Sequence, residues 1–215
     1  MAKRKKTATK SPAVWIVSVL VVLFLGVLGI QIPDDWQQLL GIDEPKTEVV
    51  KGNNPGPIEL GQAAFTSDEL KSGQGWIKYH ALDSLGRATG ADALLTKKMI
   101  NTGTSANSDI RPPGFVSGKA PYNHSRGHLI GRQMGGSGDD PRNLTTLYQN
   151  PVNTPYMTKY ENMIRQALED GQTVRYRVTP VYEGSQLLCT KIVMEARSLG
   201  KNPEVNFHVE ILNEQ

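Results

Sequence analysis

The sequence predicts an α+β domain with an antiparallel sheet, preceded by one membrane-spanning helix. Three observations support this prediction: strand patterns occur before and after one short helix pattern, strands and helices do not alternate regularly, and a long uncharged apolar run precedes them all. The 215 residues suffice for one domain and a tail. Because 38% of them are hydrophobic and 21% are charged, we expect a folded core rather than a disordered chain.

The first segment, residues 1–12, is a basic tail. No acid accompanies its five basic residues, which are Lys3, Arg4, Lys5, Lys6 and Lys10. Without them the chain carries 19 basic and 21 acidic residues, so the formal net charge of +3 belongs to the tail. The overall charge therefore says nothing about a nucleic-acid substrate, and the tail is expected to face a membrane surface.

Residues 13–32 read AVWIVSVLVVLFLGVLGIQI, without a charge, and about 20 such residues suffice to cross a bilayer. The run exceeds the roughly 7 to 15 residues of a signal-peptide core, and no A-x-A-like cleavage site follows. We expect an uncleaved anchor, with a cleaved signal peptide as the alternative. The positive-inside rule then places the tail in the cytoplasm and everything after Pro33 outside the cell membrane.

A stalk is predicted over residues 33–60, since DDWQQLL is followed by the breaker cluster GNNPGP. The folded domain is expected over residues 61–215. Its first part, GWIKYHALDSLGRATGADALLT, predicts a hairpin with its turn at DSLGR, and TVRYRVTPVY, LLCTKIVMEA and VNFHVEIL predict three further strands. The single cysteine, Cys189, excludes an intramolecular disulfide and is expected in the core.

The clearest helix pattern is NTPYMTKYENMIRQALEDG. Thr154 is predicted to cap a helix over residues 155–169, with Pro155 at its first position and Gly171 after its end. At about 100° per residue, Glu161 falls within the apolar stripe, where an unpaired acid would incur a desolvation cost. Arg165 lies four residues further on. The pair is either a surface ion pair beside the core or part of a site.

Several polar residues around this helix are ambiguous when taken alone. Asn153 precedes the predicted cap and is either a loop residue or a group aimed at a neighbouring strand. His128 lies in the short strand pattern SRGHLIG, where Gly127 would allow close approach of another group, and it is either structural or catalytic. His124 is expected to be a surface loop residue.

The combination of these residues is more informative than each one. Phosphodiester hydrolysis needs a base for water, a cation for the developing charge and a metal to polarise the phosphate. A histidine, two arginines, an amide and a carboxylate could supply these, namely His128, Arg126, Arg165, Asn153 and Glu161. An oxygen-rich set without thiols suits a hard cation such as Mg²⁺.

The stretch SRGHLIG, followed by NLTTLYQNPVN and YENMIR, resembles the DNA/RNA non-specific endonucleases of the ββα-metal class. That family's signature is Asp-Arg-Gly-His on a strand, a metal-binding Asn, a Glu eight residues later and an Arg four beyond. The resemblance covers roughly residues 77–181 and implies a ββα-metal nuclease core. The matching residues are Arg126, Gly127, His128, Asn153, Glu161 and Arg165.

The resemblance implies a role for each matching residue. His128 would be the general base, Asn153 the one direct protein ligand of a hydrated Mg²⁺, or of Mn²⁺ in its place, and Glu161 a carboxylate that holds the waters of that ion. Arg126 and Arg165 would steady the phosphate. In addition, Asn143 would support the site by hydrogen bonding.

One position departs from the family pattern, because Ser125 stands where the family has Asp. The expected function is a membrane-anchored endonuclease that hydrolyses DNA and RNA with little sequence preference, since phosphate contacts carry no base information. The alternative is an envelope or interaction protein on the same scaffold, catalytically impaired by the change at Ser125. A metallopeptidase is disfavoured because the chain has no H-E-x-x-H helix.

Overall fold

The computed structural model describes residues 54–118, 120–200 and 202–215. The predicted tail (1–12), the predicted anchor (13–32) and most of the predicted stalk (33–60) lie outside these residues. Within the described ranges, no helix is long and apolar enough to cross a membrane.

An antiparallel sheet of six strands forms the main body of the described domain, in the order β1-β8-β7-β6-β3-β2. Two further strands, β4 and β5, pair separately and antiparallel. The strands are β1 (Ile58–Gly61), β2 (Trp76–Tyr79), β3 (Ala91–Leu95), β4 (His124–His128), β5 (Leu144–Tyr148), β6 (Val174–Val181), β7 (Lys191–Ser198) and β8 (Asn206–Leu212). Helix α1 (Thr158–Glu169) lies between β5 and β6 in the chain. The predicted α+β class with an antiparallel sheet is therefore confirmed.

The predicted hairpin is formed by β2 and β3, with Trp76 opposite Leu94 and Tyr79 opposite Ala91. Its turn is held by Asp83, whose backbone N–H donates to the Arg87 carbonyl and whose carboxylate accepts from the Arg87 side chain at 2.6 Å. The three later strand patterns also form strands, β6, β7 and β8. Alternating apolar positions therefore located these elements correctly.

The core lies between the large sheet, α1 and the β4-β5 pair. Ile164 and Leu168 of α1, Leu147 of β5 and Tyr176 of β6 are all fully buried and belong to one continuous cluster. Cys189 is buried in the same cluster, as its hydrophobic surroundings in the sequence predicted. This packing fixes α1 against the strands that carry the polar residues described below.

The helix start agrees with the prediction in its backbone but not in its side-chain cap. Residues Gln149–Met157 form a wide irregular turn whose last three residues are already helical, and they lead into α1 at Thr158. Thr154 has the extended backbone of an N-cap residue (φ −138°, ψ 125°), yet its hydroxyl pairs with the Thr158 hydroxyl at 3.3 Å rather than with a backbone N–H. The predicted exit is correct, since Gly171 follows the helix with a positive φ of 86°.

The predicted boundary between stalk and domain is also displaced. Residues Ile58–Gly61 form the edge strand β1, which pairs with β8. Upstream of this strand, the amide of Asn54 donates to the carbonyls of Leu212 and Glu214 at 3.0 and 2.9 Å. The folded domain thus includes residues assigned to the stalk, because the strand partner that orders them comes from the far end of the chain.

Candidate active site

A polar pocket of about 450 Å³ lies where the end of β4 meets the start of α1. It brings together three of the predicted site residues: His128 at the end of β4, Asn153 in the wide turn before α1, and Glu161 in the first turn of α1. The described lining residues are Ser105, Ala106, His128, Gly131, Arg132, Gln133, Asn153, Thr158 and Glu161.

His128 is held by the loop that precedes β4. Its Nε2 lies 3.0 Å from the carbonyl oxygen of Thr104. A carbonyl can only accept, so Nε2 carries the proton of the neutral ring and Nδ1 is the nitrogen left to take up a proton. Burial lowers the pKa of His128, and the positive charge of Arg132 lowers it further, whereas the bond to Thr104 raises it. The ring is therefore neutral at pH 7 and able to act as a base.

Gly127 precedes His128 and is buried against Leu147 of β5, where a Cβ atom would overlap the leucine side chain. The prediction that this glycine permits a close approach is confirmed. The approach of the two strands keeps β4, and with it His128, in register with β5.

Asn153 presents an amide to the pocket. Its Nδ2 donates to Oε1 of Gln149 at 3.1 Å. The oxygen Oδ1 is therefore the amide atom that remains for a ligand. Among the described residues, no donor lies within hydrogen-bond distance of Oδ1. Thr158 meanwhile donates to the Asn153 main-chain carbonyl at 3.0 Å and so fixes the backbone of the turn. The free oxygen is suited to a hard cation.

Glu161 is a carboxylate without a cationic partner. It is partly accessible from the pocket, yet protein surrounds its carboxyl group closely enough that burial raises its pKa to about 8, against the opposing effect of the Gly131 backbone N–H. Within the described part of the chain, no lysine or arginine forms an ion pair with it. The predicted pairing of Glu161 with Arg165 is wrong, because Arg165 bonds to Glu169, one turn further along the helix, at 2.9 Å.

These observations fit a hydrated divalent cation. A positive ion next to Glu161 would favour the ionised carboxylate that burial disfavours, and Asn153 Oδ1 would give a neutral oxygen ligand. Among the described residues, no group of three or more His, Cys, Asp or Glu side chains could enclose an ion. A cation held here would therefore keep most of its water, as Mg²⁺ does in proteins.

Asn143 is completely buried and bonds to the loop that contributes Gly131 and Arg132 to the pocket. Its Oδ1 accepts from the Ile130 backbone N–H at 2.9 Å, and its Nδ2 donates to the carbonyls of Ile130 and Ser137 at 3.1 and 2.9 Å. This side chain thus holds both ends of the loop that carries Gly131 and Arg132. The supporting position that the resemblance implied for Asn143 agrees with these bonds.

The structure does not place Arg126 in the pocket. Its Nε donates to the Ile110 carbonyl at 2.6 Å, its Nη2 donates to the Ser108 carbonyl at 2.8 Å, and its guanidinium stacks over the Phe115 ring at 4.3 Å. These contacts hold the loop that precedes β4. Two hydrogen bonds and one stacking contact occupy the guanidinium at once, so the role of Arg126 here is to position that loop.

Arg165 is also absent from the lining of the pocket. Besides the bond to Glu169, its Nη1 donates to Oδ1 of Asn101 at 3.1 Å. This links α1 to the loop after β3. Both arginines that the motif singled out are therefore bound to other parts of the protein.

The two residues before the Arg-Gly-His motif have structural contacts. Ser125 donates its hydroxyl to the Leu147 carbonyl at 3.3 Å. His124 is 8% exposed, and the prediction that it is a surface loop residue is wrong: it begins β4, accepts from the Val116 N–H through Nδ1 and packs edge-on against Tyr148. Burial accordingly lowers the pKa of His124.

Sequence reasoning missed Arg132, Ser105 and Gly131. Arg132 lies four residues after His128, and a basic residue so close to the motif was the available signal. Ser105 gave none, because only the folded loop brings it to the pocket. Gly131 could have been recognised as a site of close approach, like Gly127.

Comparisons with known proteins identify the family and the fold. A family model described as DNA/RNA non-specific endonuclease matches residues 66–200, more than half of the chain. The crystal structure of NucA from Streptococcus agalactiae with magnesium ion bound is similar to this chain with a TM-score of 0.63 and 23% identity, over 85% of this chain and 91% of that one.

Two further solved structures share the fold. The Sda1 nuclease with bound zinc ion gives a TM-score of 0.61 at 19% identity, over 75% of this chain and 92% of that one. A structure described as an extracellular endonuclease gives 0.52 at 19% identity, over 76% and 93%. At these identities the likeness concerns the fold, and the residue roles depend on the geometry described above.

Proposed function

The chain belongs to the DNA/RNA non-specific endonuclease family and is an endonuclease; from this premise we propose that it hydrolyses phosphodiester bonds of DNA and RNA at the pocket of His128, Asn153 and Glu161. The observation that carries the proposal is this convergence of three groups from β4, the wide turn and α1. Each supplies one requirement of the reaction: a base, a neutral metal ligand and an anionic group for the metal's waters.

His128 acts as the general base in this proposal. Nε2 bonds to the Thr104 carbonyl and keeps the ring in one tautomer, so that Nδ1 takes the proton of the attacking water. The lowered pKa of His128 keeps this nitrogen unprotonated at neutral pH. Arg126 contributes indirectly by holding residues 108–110 against β4.

Asn153 and Glu161 would hold the divalent ion, with Oδ1 of Asn153 as the direct ligand and the Glu161 carboxylate bonded to its waters. We propose Mg²⁺, with Mn²⁺ as a substitute, because both ligands are oxygens and the described pocket offers no thiol. When bound, such an ion polarises the phosphate and stabilises the charge on the leaving oxygen.

The substrate is proposed to be DNA or RNA without strong sequence preference. The groups that line the pocket suit a phosphate and its nearby charges, and phosphate contacts carry no base information. We therefore expect cleavage at many positions along the substrate.

We further propose that the enzyme is tethered to the cell membrane by residues 13–32, with its catalytic domain outside the cytoplasm. The support is the uncharged length of that segment and the five basic residues before it.

Plasmid nicking by the purified full chain tests the activity. Supercoiled DNA should be cleaved in Mg²⁺, EDTA should abolish the cleavage, and excess Mg²⁺ should restore it. A chain that binds DNA but never nicks it, in Mg²⁺ or Mn²⁺, would support the rival hypothesis of a catalytically impaired interaction protein.

A further inference from the structure

Arg132 differs from the other arginines near the site. It is exposed, it lines the pocket together with His128, Asn153 and Glu161, and among the described residues it is the only lysine or arginine that does so. Its Nη1 donates to the neutral hydroxyl of Ser105 at 2.9 Å, and within the described chain it forms no ion pair with a carboxylate. A full positive charge is thus available at the mouth of the pocket.

The backbone of Arg132 is held firmly even though its side chain is exposed. It begins a short 3₁₀ turn, Arg132–Met134, that follows Gly131 and ends at Gly135 with a positive φ of 96°. The Gly135 N–H donates to the Arg132 carbonyl at 3.2 Å, and Asn143 fastens Ile130 just upstream. The turn fixes the backbone of Arg132 and the bond to Ser105 restrains its side chain, so binding an anion costs less conformational entropy than it would for an untethered arginine.

The charge of Arg132 also acts on the catalytic base. Both residues line the pocket, and the positive charge of Arg132 is one of the causes that lower the pKa of His128. Arg126 and Arg165, by contrast, are bound to loop carbonyls, to Glu169 and to Asn101. The guanidinium of Arg132 is therefore better placed to contact a phosphate in the pocket than that of Arg126 or Arg165.

We propose that Arg132 is the side chain that binds the substrate phosphate in this pocket, an inference that rests on the proposed nuclease function. The guanidinium has five N–H donors, and the bond to Ser105 uses one of them. The remaining donors match two phosphate oxygens in a bidentate arrangement, which a lysine cannot reproduce. Ser105 keeps the guanidinium oriented toward the pocket in the absence of substrate.

The experiment compares Arg132→Gln and Arg132→Lys with the control Lys159→Gln. The control removes an exposed positive charge that lines a separate groove with Asn162 and Met163. Binding is measured by fluorescence anisotropy of a labelled DNA duplex, with each change made in the full chain carrying His128→Ala so that cleavage does not interfere. Cleavage is measured separately in chains that keep His128.

Arg132→Gln should weaken DNA binding about 10- to 100-fold, as expected when a charge-assisted bond is lost, and reduce the salt dependence of log Kd by about one phosphate contact. Arg132→Lys should restore the salt dependence but only part of the affinity, because the point charge remains without the bidentate geometry. Lys159→Gln should leave binding and kcat/KM near those of the parent chain.

The assignment would be overturned if Arg132→Gln bound and cleaved DNA as well as Lys159→Gln, with the same salt dependence. It would also be overturned if both variants lost binding and cleavage to the same extent. This result is distinct from failure of the proposed function, in which the chain with its native residues would not cleave at all. Thermal melting of each variant shows whether a loss reflects unfolding, and the Arg132→Lys chain keeps the test decisive if Arg132→Gln is unstable.

Discussion

A Cβ atom placed on Gly131 would lie 2.5 Å from Oε1 of Glu161, so the backbone of the β4 loop and the carboxylate of α1 are in direct contact at the wall of the pocket. The backbone φ of Gly131 is −61°, which any residue can adopt. Glycine is therefore needed here for space, to leave room for the carboxylate.

Gly131→Ala should displace the Glu161 carboxylate, because a flexible side chain gives way more easily than the backbone. We expect activity at limiting Mg²⁺ to fall about 10- to 100-fold, the range for losing an outer partner of a metal site, with little change in Tm. Gly73→Ala is the control, since the nearest atom to its Cβ would be Leu94 Cδ2 at 3.9 Å. Unchanged Mg²⁺ dependence in Gly131→Ala would contradict the position given to Glu161.

His128→Ala should lower kcat by about 10²- to 10⁴-fold while the protein stays folded, as expected for removal of a general base. Near-native cleavage by this variant would remove His128 from the mechanism.

The pH profile should report the same residue. Because the base must be unprotonated and burial lowers the pKa of His128, kcat/KM should rise with pH through a midpoint below the ordinary value of about 6.5. Arg132→Gln removes a positive charge that lowers this pKa and should move the midpoint to higher pH. A midpoint above that of an ordinary histidine would be inconsistent with the burial of the ring.

Asn153→Ala should cut turnover by at least about a hundredfold, because polarisation by the metal contributes several kcal/mol to the transition state. Glu161→Gln should be milder, since an amide can still hydrogen-bond to water on the ion. Steady-state cleavage across a Mg²⁺ titration measures both. Cleavage that persists in EDTA would exclude the metal mechanism even for an active nuclease.

Asn143→Ala should lower the free energy of unfolding by about 2 to 4 kcal/mol, because it leaves the buried Ile130 N–H without its acceptor. Asn202→Ala, at an exposed loop position, should change it by no more than about 0.5 kcal/mol. Urea denaturation of both variants makes the comparison, and equal stabilities would show that Asn143 does not support the loop.

Protease added to intact spheroplasts should digest the catalytic domain if residues 13–32 anchor it outside the cytoplasm. Full protection of the domain would mean the opposite orientation. A released product that begins near residues 31–34 would instead indicate a cleaved signal peptide.

The sequence alone predicted the class of fold, six of the eight described strands and three residues of the pocket, but not β1 or β5. A period-two pattern located β6, because alternate side chains of a half-buried strand face the core, and apolar strand patterns located β7 and β8. The short spacing from Asn153 to Glu161 could be recognised because both lie on one continuous stretch of turn and helix. The distance between two such residues depends on the local backbone geometry, which the neighbouring residues in the sequence largely determine.

Only the tertiary structure decided the partners of the charged residues. Arg126 and Arg165 match the motif in sequence, yet loops distant along the chain occupy their guanidinium groups. The same packing buries His124, brings residues 105–106 to the pocket and leaves Arg132 bonded to a hydroxyl rather than to a carboxylate. The physical reason is that a long cationic side chain binds whichever acceptors the fold brings within reach. Except for Glu169, which lies four residues after Arg165, these acceptors belong to segments remote in the sequence.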